Sequence, residues 1–361
     1  MIKNKSIAVV VPCYNEERQI KMVVENMPDF VDKIVIVNDH SKDKTVEVVK
    51  SIINNDKYRS KIEFKIKKIV PNLYNRAEQV LEKENFQEKK FYTPQEIYES
   101  KSKVVLINHL KNNGVGAAIA SGYKWCKDHQ VDCTAVMAGD GQMDPNELKS
   151  ICDPVVNENI DYVKGNRLIH RSALLVIPKI RYFGNSVLSI LTKVASGYWR
   201  ISDTQTGYTA ISNKALNSIR IHKIYKSYGM PNDLLVKLNI AFCTLKEIEI
   251  KPVYNIGENS KMKILKVVPR VSILLIKSFF KRLWIKYLFR DFHPLFLLYN
   301  FSFLLFFLWT PYLVKVSKSL IYNTGNSFET LFAFTFLAIS AFQAFLFAMY
   351  MDIQDNERLY K

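Results

Sequence analysis

The sharpest chemical feature of this chain is a carboxylate closing an apolar run between two glycines. Asp140 stands in Ala138-Gly139-Asp140-Gly141-Gln142-Met143-Asp144-Pro145. The glycines leave room for a divalent ion and a diphosphate. The hard oxygen of Asp140, with a second from Gln142, suits Mg2+ or Mn2+. The same spacing also describes an ordinary turn, with Asp144-Pro145 starting the next helix. Two more carboxylates carry a double reading. Asp233, in Tyr228-Gly229-Met230-Pro231-Asn232-Asp233, is either a charge favoured by a helix dipole or an acid facing a cleft. Asp203, in Asp203-Thr204-Gln205-Thr206-Gly207-Tyr208, lies among short polar residues that also build plain turns. Gly114-Val115-Gly116-Ala117-Ala118-Ile119-Ala120 matches a GxGxxA dinucleotide fingerprint, but it follows Lys111-Asn112-Asn113 rather than a strand end. A close backbone approach at a helix start, near a phosphate or sugar, is the better reading.

Residues 6–255 alternate short β-branched runs with helical patterns, and that alternation must position these groups. Ile7–Val11 and Lys33–Val37 are near-continuous apolar runs, as buried parallel strands require. Helical stretches follow at about 16–27 and 43–54. Ile62–Val70, Val104–Asn108, Thr134–Met137 and Tyr162–Lys164 are further strand candidates. The series predicts an open, mainly parallel α/β sheet whose ligands bind at the strands' carboxyl ends. Polar clusters fall where that expectation puts them: Pro12-Cys13-Tyr14-Asn15-Glu16-Glu17, Asn38-Asp39-His40-Ser41 and Gly139-Asp140-Gly141-Gln142. Residues 71–102 are polar and poor in aliphatics, and read as an insertion. The five cysteines form no CxxC pair and are odd in number. They read as reduced thiols of a cytosolic domain, with no basis for a zinc site.

The 361 residues carry a net charge of +17 with 48% hydrophobic content. Such apolar content excludes a disordered polycation. The charge is uneven. Lys261, Lys263, Lys266, Arg270, Lys277, Lys281, Arg282, Lys286 and Arg290 fall in 261–290 without one Asp or Glu. Apolar residues between them, Trp284 included, predict basic amphipathic juxtamembrane helices on anionic lipid, split at Pro269. Phe292–Val314 and Thr330–Met351 contain no charged residue. Each is long enough to cross a bilayer, so 291–361 reads as a two-span membrane hairpin with a short tail, spans about 292–314 and 330–351. No signal peptide is evident, and the basic strip before the first span assigns the preceding domain to the cytoplasm. A nucleic-acid partner is excluded, because the densest positive block abuts a span and has no groove-reading motif.

Taken together, the clusters resemble family 2 glycosyltransferases of the GT-A fold, in particular polyprenyl-phosphate sugar transferases. The resemblance covers about residues 6–262 and implies a GT-A, Rossmann-like catalytic domain over 1–260, with the amphipathic helices and transmembrane hairpin after it. It implies a nucleotide-sugar site formed by Pro12, Tyr14, Asn15, Glu16 and Glu17, with Asp39 at the base or ribose. Asn113 and Gly116 would turn beside the donor, with Ala138, Gly139 and Asp140 at its diphosphate. Asp140 and Gln142 match metal-site positions, so a divalent metal, Mg2+ or Mn2+, is implied. Arg167, in Gly165-Asn166-Arg167, resembles a phosphate-facing Gly-x-Arg, and Asp203, Ser260 and Lys261 complete an acceptor site. The chain departs from the family at Ala138, usually Asp, at Asn38, often acidic, and at Asn255, commonly Arg.

The implied reaction moves a sugar from a nucleotide diphosphate to an acceptor with inversion. A lipid phosphate is already anionic and needs little help from a base, whereas a saccharide hydroxyl needs one, for which Asp233 is the candidate. Polyprenyl phosphate is the favoured acceptor, because the basic strip would hold the cleft at headgroup level. A lipid-linked or polysaccharide acceptor stands second, and a non-catalytic nucleotide-sugar-binding membrane protein is a remote third. A homo-oligomer is allowed by the sequence and left open.

Overall fold

The computed structural model describes residues 2, 4–55, 70–99, 101–254 and 264–361. Among the described residues eight strands form one sheet: β1 Ile7–Cys13, β2 Lys33–Asn38, β3 Gln95–Tyr98, β4 Val104–His109, β5 Cys133–Val136, β6 Tyr162–Asn166, β7 Thr209–Ser212 and β8 Leu245–Glu249. Their order is β3-β4-β2-β1-β5-β7-β6-β8. The helices are α1 Ile20–Glu25, α2 Thr45–Ile53, α3 Arg76–Gln87, α4 Val115–Asp128, α5 Leu148–Asn157, α6 Ala173–Val176, α7 Lys179–Ser196, α8 Asn213–Ser218, α9 Met230–Ile240, α10 Ile264–Trp284, α11 Pro294–Tyr322 and α12 Phe328–Glu357.

All seven residues of β1 are buried, because helices cover both faces of the sheet. The pleat divides them. Ala8 and Val10 join a core with α4, α8 and α9, while Ile7, Val9 and Val11 join one with α1, α2 and α5. Fully burying a side chain of this kind stabilises by roughly 1.5–3 kcal/mol, so a one-residue slip in register would exchange both sets. The α/β expectation is borne out. The strand expected over Ile62–Val70 falls almost wholly outside the described residues. The 71–102 stretch supplies α3 and the edge strand β3, which runs antiparallel to β4.

One strand direction escaped the sequence. β7 runs antiparallel to both β5 and β6, and β6 is parallel to β8. The segment leading into β7 therefore lies at the edge where β1, β5, β6 and β8 end. This reversal brings Asp203–Tyr208 to that edge.

The basic strip differs from its expectation. α10 runs unbroken through Pro269 and continues as a π-helical turn over Ile285–Arg290. Pro269 lies near the helix start, where its missing N–H costs one bond. Arg282 and Lys286, expected on a lipid-facing surface, are fully buried. Arg282 donates from Nη1 (2.7 Å) and Nη2 (2.8 Å) to Asp352 and from Nε to the Ala195 carbonyl (3.0 Å). Lys286 pairs with Asp355 at 3.1 Å. Burying such charges is tolerable only when they are paired, and the acids come from the returning end of α12. The tail then docks on the sheet. Tyr360 forms a parallel bridge with Leu245, whose N–H donates to the Leu359 carbonyl at 2.8 Å.

α11 and α12, of 29 and 30 residues, pack on one another, and their most apolar windows are only 11% and 17% buried. At 1.5 Å per residue each is roughly 44 Å long, more than the hydrocarbon thickness of about 30 Å. Both are long and apolar enough to cross a membrane.

Candidate active site

The loops after β1 and β2 are laced together by short polar side chains. The Asn15 N–H donates to Ser41 Oγ (2.9 Å), Glu16 N–H to Thr45 Oγ1 (3.0 Å) and Glu17 N–H to Asp43 Oδ2 (3.1 Å). In return Asn15 Oδ1 accepts from Lys42 N–H (2.8 Å) and Glu17 Oε2 from Lys44 N–H (3.0 Å). Asn15 holds a positive φ of 56°, which asparagine tolerates better than most residues. Gly139 N–H donates to the Pro12 carbonyl (3.2 Å), tying the third polar cluster to the first. The three polar clusters are therefore neighbours at the carboxyl end of the sheet.

Asp140, Gln142, Met143, Glu147, Arg167, Thr206, Gly207, Tyr208, Ile250, Lys251 and Val253 line a cleft at this edge, about 410 Å3 including its open mouth. Within it Asp140 Oδ1 accepts the Gln142 N–H (3.0 Å). Asp144 caps the turn over Pro145–Glu147 by accepting the Asn146 N–H at 2.9 Å. Glu147 Oε1 takes the Lys251 N–H (2.9 Å). Burial, helped by Asp144, pushes the Glu147 carboxyl above its usual range, against the pull of that bond.

Arg167 reaches into the cleft from the end of β6. Its Nε and Nη2 donate to Asp203 Oδ2 (2.8 Å) and Oδ1 (3.1 Å), and its backbone N–H to Oδ2 (3.2 Å). Asp203 is fully buried, while the Arg167 side chain keeps 22% exposure. Burial pushes Asp203 upward, but the charge and bonds of Arg167 outweigh it and hold the carboxyl below its usual range. This fork-to-fork pairing fixes the guanidinium plane and leaves Nη1 outside the clamp.

Four expected contacts are corrected. Asp203 does not face an acceptor, because both its oxygens are committed to Arg167 and buried backbone N–H groups. Asp39, expected at a base or ribose, is 3% exposed. Its Oδ1 takes Asn113 N–H (3.0 Å) and His109 Nδ1 (2.9 Å), and its Oδ2 takes Gly114 N–H (2.7 Å). Those bonds outweigh burial and keep its carboxyl low. Asp39 thus builds the turn at Gly114, whose φ of +91° requires glycine. Gly116 does not approach a donor: its N–H donates to the Lys226 carbonyl (3.0 Å), and a Cβ there would lie 2.1 Å from the Tyr225 carbonyl. Asp233 lies outside the cleft, ion-paired with Lys237 and accepting the Tyr225 N–H at 2.8 Å. Asn113 sends its side chain to Thr93 Oγ1 (2.7 Å), and Ala138 is half-buried at the strand end. Ser260 and Lys261 lie outside the described residues.

Sequence reasoning missed His109, Glu147, Lys164, Glu247 and Lys251. His109 is fully buried and also meets Ser121 Oγ (2.9 Å) from Nε2. The Asp39–His109–Ser121 chain has the reach of a hydrolytic triad but no access, so it is structural. Lys164 had a visible signal, a lysine inside a buried strand. Glu247 had none.

Residues 8–69 match the family described as Glycosyl transferase family 2. The chain is 29% identical over 257 residues to a UDP-N-acetylglucosamine–dolichyl-phosphate N-acetylglucosaminyltransferase of Methanococcus voltae, covering 70% of this chain and 87% of that one. Together these matches support a glycosyltransferase whose residues 8–69 resemble family 2. A dolichyl-phosphate beta-glucosyltransferase of Trichomonas vaginalis is 24% identical to this glycosyltransferase over 296 residues, covering 77% and 74% of the two chains. A solved glucosyl-3-phosphoglycerate synthase of Mycobacterium tuberculosis, with Mn2+, uridine diphosphate and glucosyl-3-phosphoglycerate, is 14% identical with a TM-score of 0.47, over 77% of this chain and 80% of that one.

Asp140 and Gln142 fit a divalent metal modestly. No three His, Cys, Asp or Glu side chains cluster among the described residues. One carboxylate and one amide oxygen are, however, a normal protein share for Mg2+, whose other positions go to water and phosphate. Among the described residues Gln142 Nε2 is buried without a partner; an amide nitrogen donates, so it suits a phosphate oxygen rather than the cation.

Proposed function

We propose that the glycosyltransferase moves a sugar from a nucleoside diphosphate to a polyprenyl phosphate at a membrane surface, inverting the anomeric carbon. The observation that carries the reading is the single cleft in which Asp140 and Gln142 meet an arginine already neutralised on one side by a buried carboxylate. The named activities of the Methanococcus and Trichomonas relatives support the same acceptor class.

Asp140 and Gln142 would hold a divalent metal, which supplies charge neutralisation for the departing diphosphate. Ala138 contributes no ligand, so the donor's own phosphates would complete the coordination. Arg167 orients the acceptor phosphate with its unclamped Nη1, and Lys251 adds a second cation at the rim. An acceptor oxygen forms a bond to the anomeric carbon as the bond to the β-phosphate oxygen breaks, leaving a nucleoside diphosphate and a polyprenyl-phosphate sugar. The phosphate is already ionised near neutral pH, so no base is required. That suits a cleft in which Asp233 is absent and engaged elsewhere.

α11 and α12 are read as a membrane hairpin, with the catalytic domain on the cytoplasmic side where both ends of the hairpin return. Two adjacent helices support contact with the lipid surface. α7 exposes Phe183, Val187 and Ile190, and α10, packed against it, exposes Ile273, Ile276, Phe280 and Trp284. The chain from Leu168 to Ser202 carries Arg171, Lys179, Arg181, Lys193 and Arg200 and no acid, as anionic headgroups would favour.

The test is transfer by the purified chain in nanodiscs, with polyprenyl phosphate, a panel of radiolabelled nucleotide sugars and Mg2+ or Mn2+. A metal-dependent lipid product with at least one donor is expected. Nucleotide binding without transfer from any donor refutes the reading, and transfer only to a glycosylated lipid replaces its acceptor.

A further inference from the structure

Arg167 and Asp203 do not stand alone. Glu247, on the neighbouring strand β8, accepts the Ser202 N–H at 3.0 Å and the Asp203 N–H at 3.2 Å through Oε1, and the Asn166 side-chain amide at 2.7 Å through Oε2. The buried Asp203 carboxylate thus holds the guanidinium, while the half-buried Glu247 braces the Asp203 backbone and stands opposite Lys164 in the β6–β8 register. On β6, two residues before Asn166 and on the same face of the pleat, Lys164 is fully buried and gives Nζ to the Thr206 carbonyl. The charges facing Lys164 are Asp203 from the segment before β7, Glu247 from β8 and Arg167 from its own strand end. Arg167 with Lys164 balances Asp203 with Glu247. Without Lys164 the cluster would carry a net negative charge directly behind the residue that must attract a phosphate.

We propose that Lys164 is a positioning residue for the acceptor: its buried charge offsets Glu247, so that Arg167, clamped by Asp203, keeps a net attraction for a phosphate oxygen. This rests on the phosphate-acceptor reading above. The alternative is a lysine that only ties down the Thr206 carbonyl, and charge separates the two.

Burial lowers Lys164 to about 8, with Asp203 and Glu247 pulling it back up. Below that pH the lysine is charged and the cluster neutral; above it the proton leaves and the cluster turns negative. Acceptor affinity should therefore fall as pH rises through about 8. Burial also lowers Lys286, at the α9–α10–α12 junction, to about 8, so the variants, rather than the wild-type profile, decide.

The experiment measures the KM for polyprenyl phosphate in nanodiscs at saturating donor, at pH 7 and pH 9. It compares wild type, Lys164→Gln, Glu247→Gln, the double variant and Arg167→Ala. Glutamine at 164 keeps a donor for the Thr206 carbonyl but no charge. It should raise KM about tenfold at pH 7, the order expected for one unit charge acting over roughly 12 Å at an effective dielectric of about 20, and flatten the pH dependence. The double variant restores neutrality and should return to within about threefold of wild type. A double variant no better than Lys164→Gln, or Lys164→Gln within twofold of wild type, overturns the proposal. Should Lys164→Gln fail to fold, Glu247→Gln alone decides: its KM at pH 7 should fall below wild type, and an unchanged or higher value overturns the proposal. If Arg167→Ala leaves KM unchanged, the phosphate reading itself fails. If Arg167→Ala raises it while Lys164→Gln does not, only the present inference fails.

Discussion

Arg167→Lys separates the two tasks assigned to this side chain. Arg167 gives Asp203 two side-chain bonds, at 2.8 and 3.1 Å, and still keeps Nη1 for a ligand. An ammonium is a single point of charge, so it can satisfy Asp203 or reach the cleft, not both. The buried carboxylate should win, because leaving it unpaired is the costlier alternative. What is lost is one charge-assisted bond to the acceptor phosphate, about 1.5–3 kcal/mol, or roughly ten- to a hundredfold in acceptor KM. Stability should change by no more than about 1–2 kcal/mol, because Asp203 still holds a cation and the Gln205 and Thr206 N–H groups at 3.3 and 3.2 Å. The assay is initial-rate transfer over a range of polyprenyl phosphate with donor saturating, alongside thermal unfolding of the same preparation. A KM within threefold of wild type would show that Arg167 only braces Asp203, and a collapse of the fold would show that the clamp is primarily structural.

Asp140→Asn should lower metal-dependent transfer by about a thousandfold or more with donor-free stability unchanged, measured as initial rate against Mn2+ concentration; activity within tenfold of wild type would remove Asp140 from the metal site. Asp352→Asn leaves the Arg282 charge fully buried opposite a neutral amide, and should cost about 3–5 kcal/mol in denaturant unfolding in detergent; a loss below about 1 kcal/mol would mean that the junction tolerates an unpaired arginine. Gly116→Ala places a Cβ 2.1 Å from the Tyr225 carbonyl and should destabilise by about 1–3 kcal/mol while leaving donor KM within threefold, read from thermal unfolding and kinetics; a large donor KM effect with normal stability would restore Gly116 to the donor site.

The sequence by itself determined the parallel strands, the polar clusters at their ends and the two apolar helices. Residue type and spacing suffice where both faces of an element are buried or where an element must match a bilayer. β1 and β2 are legible because a strand covered on both sides reads as continuous Val and Ile. Asp140 and Gln142 are legible because the glycines beside them mark a strand end. Direction and partnership were not legible. Antiparallel β7 puts Asp203 behind Arg167, and no local pattern distinguishes an inserted strand running up from one running down. Asp39 and Gly116 carry the right residue types for a ligand site, yet they spend their bonds on the backbone at Asn113–Gly114 and Tyr225–Lys226. Arg282 and Lys286 follow the same helical spacing as the exposed Lys277 and Lys281, and they turn inward only because Asp352 and Asp355, some seventy residues later, return to meet them. Long-range pairing decides such cases, since a buried charge or carboxylate is stable only beside the partner that the tertiary fold supplies.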